Sequence, residues 1–357
     1  MGMAEIQTGF FTHDIQLRRI DELGDPLKAI GEAVDFSLFR PLLDQLFGVR
    51  GTGPGRPPWD RLLMFKVLVL QLVRGLSDEK LEFELIDSAS AQRFVGLSPH
   101  DAVPDSRTVW LFRDKLSKSR LPGTEGEEGI DGVSALFELF RRELAAKGLL
   151  CREGRTVDAM IVEVPRQRNP QEENKQIKEG EVPAAWKQQP RKLAQKDIDA
   201  RWMVKRGRNH FGYKNSIVGG NSDCFIHGYV VSAANAHDSK IVPECFYEPA
   251  GEESANHGDS AYCNKTIAGR LKEAGIRNRI HQQRLAGKEL SEEQKQSNRE
   301  KSKIRARIEH RFGRMKTCLK GLSLRCIGLV RSRATIGMLN LVYNLMEYTR
   351  VSRMAAA

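Results

Sequence analysis

The chain has 357 residues, enough for two domains with a sizeable core, and carries a net charge of +11 with a pI near 9.4. That balance suits a polyanionic partner, either nucleic acid or an anionic membrane surface. Six cysteines without a single CxxC pair argue against a zinc ribbon or a disulfide framework, and they fit a reducing cytoplasm. The first residues lack the basic-then-apolar order of a signal peptide. The most apolar run, Leu62 to Val73, is interrupted by Lys66 and Gln71 and is too short to span a bilayer.

In chain order, Phe36, Leu38, Leu42, Leu43 and Leu46 give a weak helical pattern, broken by the Gly/Pro-rich stretch from Gly51 to Pro58. Trp59-Asp60-Arg61 opens an apolar helix that Gly75 closes at its C′ position. Ser77 is placed to cap the next helix, with Asp78 and Glu79 in its first turn. Pro104-Asp105-Ser106-Arg107-Thr108 opens another, running through Val109, Trp110, Phe112 and Leu116. Residues 1–120 therefore read as a small all-helical domain. A groove-reading helix-turn-helix and a dimerisation module are equally compatible with it, and Arg107, Arg113 and Lys115 are candidate phosphate contacts. Residues 121–150 read as a linker, rich in Gly and acid up to Gly132, followed by a helix from Val133 that ends at Gly148.

Beyond residue 150 the pattern changes. Strands are expected at Arg155–Val162, Gly212–Gly219 and Phe225–Ser232, then a helix from about Asp238, a short strand ending in Asp259, a helix Lys265–Ala274, a strand Ile276–His281 and a final amphipathic helix. Residues 151–350 thus read as an α/β domain with a mixed sheet. A basic insertion at about 165–208 interrupts it, with twelve Lys/Arg against six Asp/Glu and with Trp186 and Trp202 embedded. The insertion suits a nucleic-acid backbone with occasional base stacking, or else a loosely packed polar surface segment. A second basic segment, Arg284 to Lys316, has eleven Lys/Arg against five Asp/Glu, so these two stretches hold essentially all of the net charge. The first lacks the apolar face of an interfacial helix and the apolar stripe of the second reads as packed on a core, which favours DNA over a membrane.

Three acids stand out by context. Asp158 sits inside a β-branched strand, where propensity and burial both disfavour it. Asp259 ends a short strand. Glu309 lies beside the apolar stripe Ile304, Ile308, Phe312, Met315 and Leu319, with Arg305 and Lys316 close to it on the helical wheel. Taken singly, each has a plain alternative: a backbone-satisfying Asp, a turn Asp, and an i,i+4 pair of Arg305 with Glu309. Converging, the three would suit two hard divalent cations and in-line attack on a phosphodiester. Asp238 reads instead as a helix N-cap. His237, His257 and His310 read as structural or surface residues, and Glu163 lies on the opposite strand face from Asp158.

Thr156-Val157-Asp158-Ala159, Gly258-Asp259-Ser260-Ala261-Tyr262 and Arg305-x-x-x-Glu309-x-x-x-x-x-x-Lys316 resemble the three blocks of a DDE transposase of a bacterial insertion sequence, most closely the insertion sequence five family. Ala200-Arg201-Trp202, His210-Phe211-Gly212-Tyr213-Lys214 and Ala234-Asn235-Ala236-His237-Asp238-Ser239 resemble its middle blocks, and Pro104 to Thr108 its N-terminal domain. The resemblance implies a ribonuclease-H-like catalytic domain preceded by a helical one, in a cytoplasmic protein. It also implies two Mg²⁺ or Mn²⁺ ions held by Asp158, Asp259 and Glu309, and DNA contacts from Arg305, Lys316, Lys214, Arg201 and Trp202. The implied partners are double-stranded DNA, as terminal inverted repeats and target, with the protein at least dimeric when bound. The implied activity is strand cleavage followed by transfer of the 3′-hydroxyl. A cutting-only nuclease and a non-catalytic DNA-binding descendant are the rival readings. Where the family usually has a Tyr, three residues before the Arg, this chain has Ser302.

Overall fold

The computed structural model describes residues 12–48, 57–123, 129–205, 207–284, 289–319 and 324–356. The expected Gly/Pro break and the centre of the acidic linker lie largely outside the described residues. The chain divides into two compact units: Met1–Ser119 with Leu345–Ala357, and Arg120–Asn344.

In the first unit the helices are α1 (Thr12–Glu22), α2 (Pro26–Ala33), α3 (Arg40–Phe47), α4 (Arg61–Arg74), α5 (Asp78–Asp87), α6 (Ala89–Val95) and α7 (Ser106–Lys118). Their starts follow from short polar residues whose side chains accept the first free N–H groups: Asp25, Asp60, Ser77, Ser88 and Asp105. Gly75 ends α4 in the left-handed region, at φ 65°, as its position predicts. The rings of Phe36, Phe39, Phe65 and Phe94 form the core between the helices. Arg113, a candidate phosphate contact, is held by Asp78 at 2.7 Å, and the Lys115 ammonium lies over the Phe47 ring.

The second unit opens with α8 (Gly132–Ala146) and continues with β1 (Arg155–Glu163), α9 (Gln171–Lys178), α10 (Ala184–Lys187), α11 (Pro190–Leu193), β2 (Arg201–Lys205), β3 (Arg208–Gly220) and β4 (Ile226–Ala233). After these come β5 (Ala255–Asn256), α12 (Lys265–Glu273), β6 (Arg277–Asn278), α13 (Glu292–Cys318) and α14 (Leu329–Ala356), the last crossing the unit boundary at Leu345. Strand β3 pairs antiparallel with β1 along one edge and with β4 along the other, and β2 pairs with its N-terminal end. Strand β5 runs parallel to β6, and His257 bridges Thr156 in parallel. The strands therefore lie in the order β4-β3-β1-β5-β6, antiparallel on one side of β1 and parallel on the other. Gly154 makes the parallel contact feasible: at φ 133° its Cα lies so close to β5 that a Cβ would fall 2.0 Å from the Ala255 carbonyl oxygen.

Alternation along β1 sends Val157 to one face, into a core of Val218, Phe246, Tyr262, Ile267, Leu271, Ile276 and Ile280. Thr156 and Asp158 face the other side, where α13 packs.

One alternative and two expectations need correcting. The basic insertion is not a loose segment: α9 to α11 enclose Trp186, which is fully buried, donates its indole N–H to Glu173 at 2.8 Å and carries the Lys192 and Lys196 ammonium groups over its ring. Lys and Glu on the surface of this small core gave it the composition of a disordered loop. The helix expected from Asp238 shrinks to single 3-10 turns at Asp238–Lys240 and Glu244–Tyr247, and the N-cap is His237, not Asp238. The strand expected at Ile276–His281 is only two residues long, because its partner β5 offers two residues to pair with, while Ile276 and Ile280 are drawn into the core.

Candidate active site

The register of the parallel strands brings two acids together. The Val157 N–H donates to the His257 carbonyl at 3.0 Å, and the His257 N–H to the Arg155 carbonyl at 2.8 Å. Asp158, on β1, and Asp259, two residues past His257 in the segment that leaves β5, are the acids that follow. Asp259 leaves β5 as the N-cap of a 3-10 turn and accepts the Ala261 N–H at 2.8 Å, which fixes its carboxylate. Asp158 accepts its neighbour Ala159's N–H, also at 2.8 Å. Burial pushes the Asp158 carboxyl up to about 6; the Ala159 N–H opposes this, the negative charge of Asp259 adds to it, and Arg305 and Lys205 pull it down.

Glu309 arrives from α13, which starts at Glu292, well before the apolar stripe that marked it in the sequence. A capping box of Ser291 and Gln294 opens the helix, and Ile308, Arg311, Phe312 and Met315 are its buried residues. The guanidinium of Arg305 lies between two acids, with Nη2 2.8 Å from Glu309 Oε1 and Nη1 3.8 Å from Asp158 Oδ2. Its Nε–H is buried and unpartnered. Glu309 is half exposed, so this side of the cluster opens to solvent. Beneath it, the fully buried Tyr262 hydroxyl has no hydrogen-bond partner and feels the charges of Asp158, Asp238 and Asp259, which with burial raise its pKa well above the usual phenol value. The nearby histidines add no cation at neutral pH. Burial holds His257 down to about 4, and burial with Arg305 and Lys301 lowers His281.

The donor set fits hard divalent cations. It consists of carboxylate oxygens, with no thiolate or free imidazole among them. One acid is held protonated up to about pH 6 by burial and a like charge, a destabilised arrangement that added positive charge relieves. Asp158, Asp259 and Glu309 are the residues that would hold such ions.

The other expected site residues are placed variously. Lys316 is exposed on α13, two turns beyond Glu309. Trp202 is 43% exposed on β2 and leans on Phe211. Arg201 is spent on the carbonyls of Ile177, Ile198 and Ala200, tying the insertion to β2. Lys214 is turned inward: its ammonium, 6% exposed, bridges the Ala236 carbonyl at 2.6 Å and Asp238 at 2.7 Å. In this position the cation braces the sheet end. Ser302 donates to the Asn298 carbonyl on its own helix. Sequence reasoning gave no site role to Tyr262, quoted only within the second block, or to His281, which no periodicity singles out.

Two family models match the chain. Residues 150–345 match the family described as Transposase DDE domain, and residues 15–115 match Transposase domain (DUF772). Among solved structures, a piggyBac transposase synaptic complex with hairpin DNA is similar at 12% identity and a TM-score of 0.42, over 95% of this chain and 78% of that one. At that score the likeness is too remote to define a fold.

Proposed function

We propose a function from one premise: the chain belongs to the Transposase DDE domain family. It is a DNA transposase that binds the terminal inverted repeats of its element, cleaves at the ends and joins the freed 3′-hydroxyl to target DNA. One observation carries this reading. Asp158 lies in β1 beside the parallel Thr156–His257 bridge, Asp259 lies two residues past His257 on the neighbouring segment, and Arg305 links Asp158 to Glu309. The mixed sheet, antiparallel on one side of β1 and parallel on the other, supports a ribonuclease-H-like catalytic domain.

Asp158, Asp259 and Glu309 would hold divalent ions, two of Mg²⁺ or Mn²⁺, which would supply Lewis-acid activation of the attacking oxygen and charge neutralisation at the leaving oxygen. The chain's residues do the rest. Asp158, Asp259 and Glu309 set the position of the scissile phosphate by holding its counter-charges from three different elements. Arg305 compensates the acids in the free protein and is placed to turn its fork onto a phosphate when DNA arrives. Lys316, with Lys303 and Arg314 exposed on the same helix, extends the basic track along the strand. The helical unit serves DNA binding or dimerisation. Among the described residues no helix is long and apolar enough to cross a membrane.

The test is Mg²⁺-dependent cleavage and strand joining on DNA carrying the element's own ends, comparing wild type with Glu309→Gln. Joining by wild type, and binding without chemistry by the variant, supports the proposal. Cleavage without joining makes the protein a nuclease. Binding without chemistry by both makes it a non-catalytic descendant.

A further inference from the structure

Arg307 and Arg311 flank Glu309 by two residues on either side. Two residues on an α-helix is a turn of about 200°, so both arginines project away from Glu309 and toward the sheet. Arg311 is 2% exposed. Its Nη2 donates to the carbonyls of Gly220 at 2.6 Å and Asp223 at 2.7 Å, and lies 3.4 Å from Asp223 Oδ1. Arg307 donates to the Asn221 carbonyl. Both arginines thus grip one connection, the turn between β3 and β4.

The turn is shaped for this. The β3–β4 register shifts between Val218 and Gly219. A Cβ at Gly219 would fall 2.6 Å from the Arg311 guanidinium carbon, and one at Gly220 would fall 2.1 Å from Asp223 Oδ2. The paired glycines form a slot for a guanidinium and its carboxylate.

Asp223 is the centre of the slot. Oδ2 accepts the Cys151 N–H at 2.8 Å and lies 2.7 Å from His227 Nε2; Oδ1 accepts the Phe225 N–H at 2.8 Å and faces Arg311. Burial works to raise this carboxyl, yet His227, the Cys151 N–H and Arg311 hold it at about 2. Donor atoms of Cys151, Asp223 and His227 lie within 4.8 Å of one another, a spacing that could hold a metal ion. All four lone-pair positions of the carboxylate are already engaged, however, and a fixed cation sits beside it. The cluster is a hydrogen-bonded hub.

We propose that the Asp223–Arg311 hub, with Arg307, is a latch that positions Glu309 by fixing the rotation of α13 on the sheet. A rotation of about 20° moves a side-chain tip on a helix by about 2 Å. A site of this kind tolerates about 0.5 Å. The proposal rests on the reading of Glu309 as a metal ligand. Arg311 and Asp223 are positioning residues, and neither touches the reacting atoms.

The test is Mn²⁺ binding to the DNA-free protein, read by electron paramagnetic resonance, in wild type, Glu309→Gln, Asp223→Asn, Arg307→Gln and the double variant Asp223→Asn/Glu309→Gln. Arg307 is exposed, so its variant keeps the fold even if the Asp223 variant does not. The latch predicts that Arg307→Gln and Asp223→Asn each weaken Mn²⁺ binding about tenfold with DNA affinity unchanged. It also predicts that the double variant binds no more weakly than Glu309→Gln. Unchanged Mn²⁺ affinity in both latch variants, or additive losses in the double variant, overturns the latch while leaving Glu309's role intact. Wild-type binding that ignores Glu309→Gln removes the premise, and the latch with it.

Discussion

At the scale of single residues, Asp158 concentrates the opposition between stability and function. Its folded-state pKa of about 6 stands above the ordinary 3.8, so between these values the folded chain holds a proton that the unfolded chain has released. Stability is therefore lost as pH rises from about 4 to 6, by about 3 kcal/mol in total. Asp158→Asn removes that penalty. In EDTA at pH 7.5 the variant should be more stable than wild type by about 1–3 kcal/mol in denaturant titrations. A variant less stable than wild type would contradict the burial argument. In wild type, the Mg²⁺ needed for half-maximal cleavage should rise as pH falls below about 6, because the proton competes with the ion. Asp158 and Glu309 stood out in the sequence because each breaks its local pattern, an acid in a β-branched strand and an acid framed by two bases beside an apolar stripe, though each taken singly had a plain alternative. Arg311 was not picked out, because an arginine on a basic helix reads as surface. The signal was there all the same: Arg311 lies three residues after Ile308 and four before Met315, inside the stripe by periodicity alone.

At the scale of elements, β1, β3, β4 and α13 were recognisable from alternation and helical period. Strands were also expected where β5 and β6 lie, but their two-residue bounds were not legible, because such short pairings exist only through the tertiary contact with β1 that Gly154 permits. Gly154→Ala adds a Cβ into the Ala255 carbonyl at a backbone angle that disfavours alanine, so it should destabilise the chain by about 2 kcal/mol or more. By separating β5 from β1 it should also weaken Mn²⁺ binding. Thermal denaturation checks the first effect, and an unchanged Tm would mean that β5 does not lie where described. The insertion makes a complementary case. Its charge hid a core, since one buried Trp186 and Ile177 organise α9 to α11. Trp186→Ala should expose residues 165–200 to trypsin while the rest of the second unit stays resistant. Cleavage at wild-type rates would contradict a folded insertion.

At the scale of the whole molecule, the net charge of +11 is concentrated in two segments, both in the unit that holds the acids. If they form the DNA footprint, binding releases counterions and log Kd should rise steeply and linearly with log salt. Replacing exposed Lys187 and Arg191 by Gln should reduce that slope by about 1–2 without changing sequence preference. An unaltered slope would place the footprint elsewhere. The helical unit is matched by its own transposase-domain family, over residues 15–115, apart from the family matched over residues 150–345.

The central claim is that Asp158, Asp259 and Glu309 form one catalytic centre for cutting and joining DNA. Mg²⁺-dependent cleavage and joining of the element's own ends, by wild type and Glu309→Gln at matched DNA occupancy, tests it most directly. The account predicts joined products from wild type, and a loss of at least about a thousandfold in the variant with binding retained. Chemistry that survives Glu309→Gln within tenfold would contradict it.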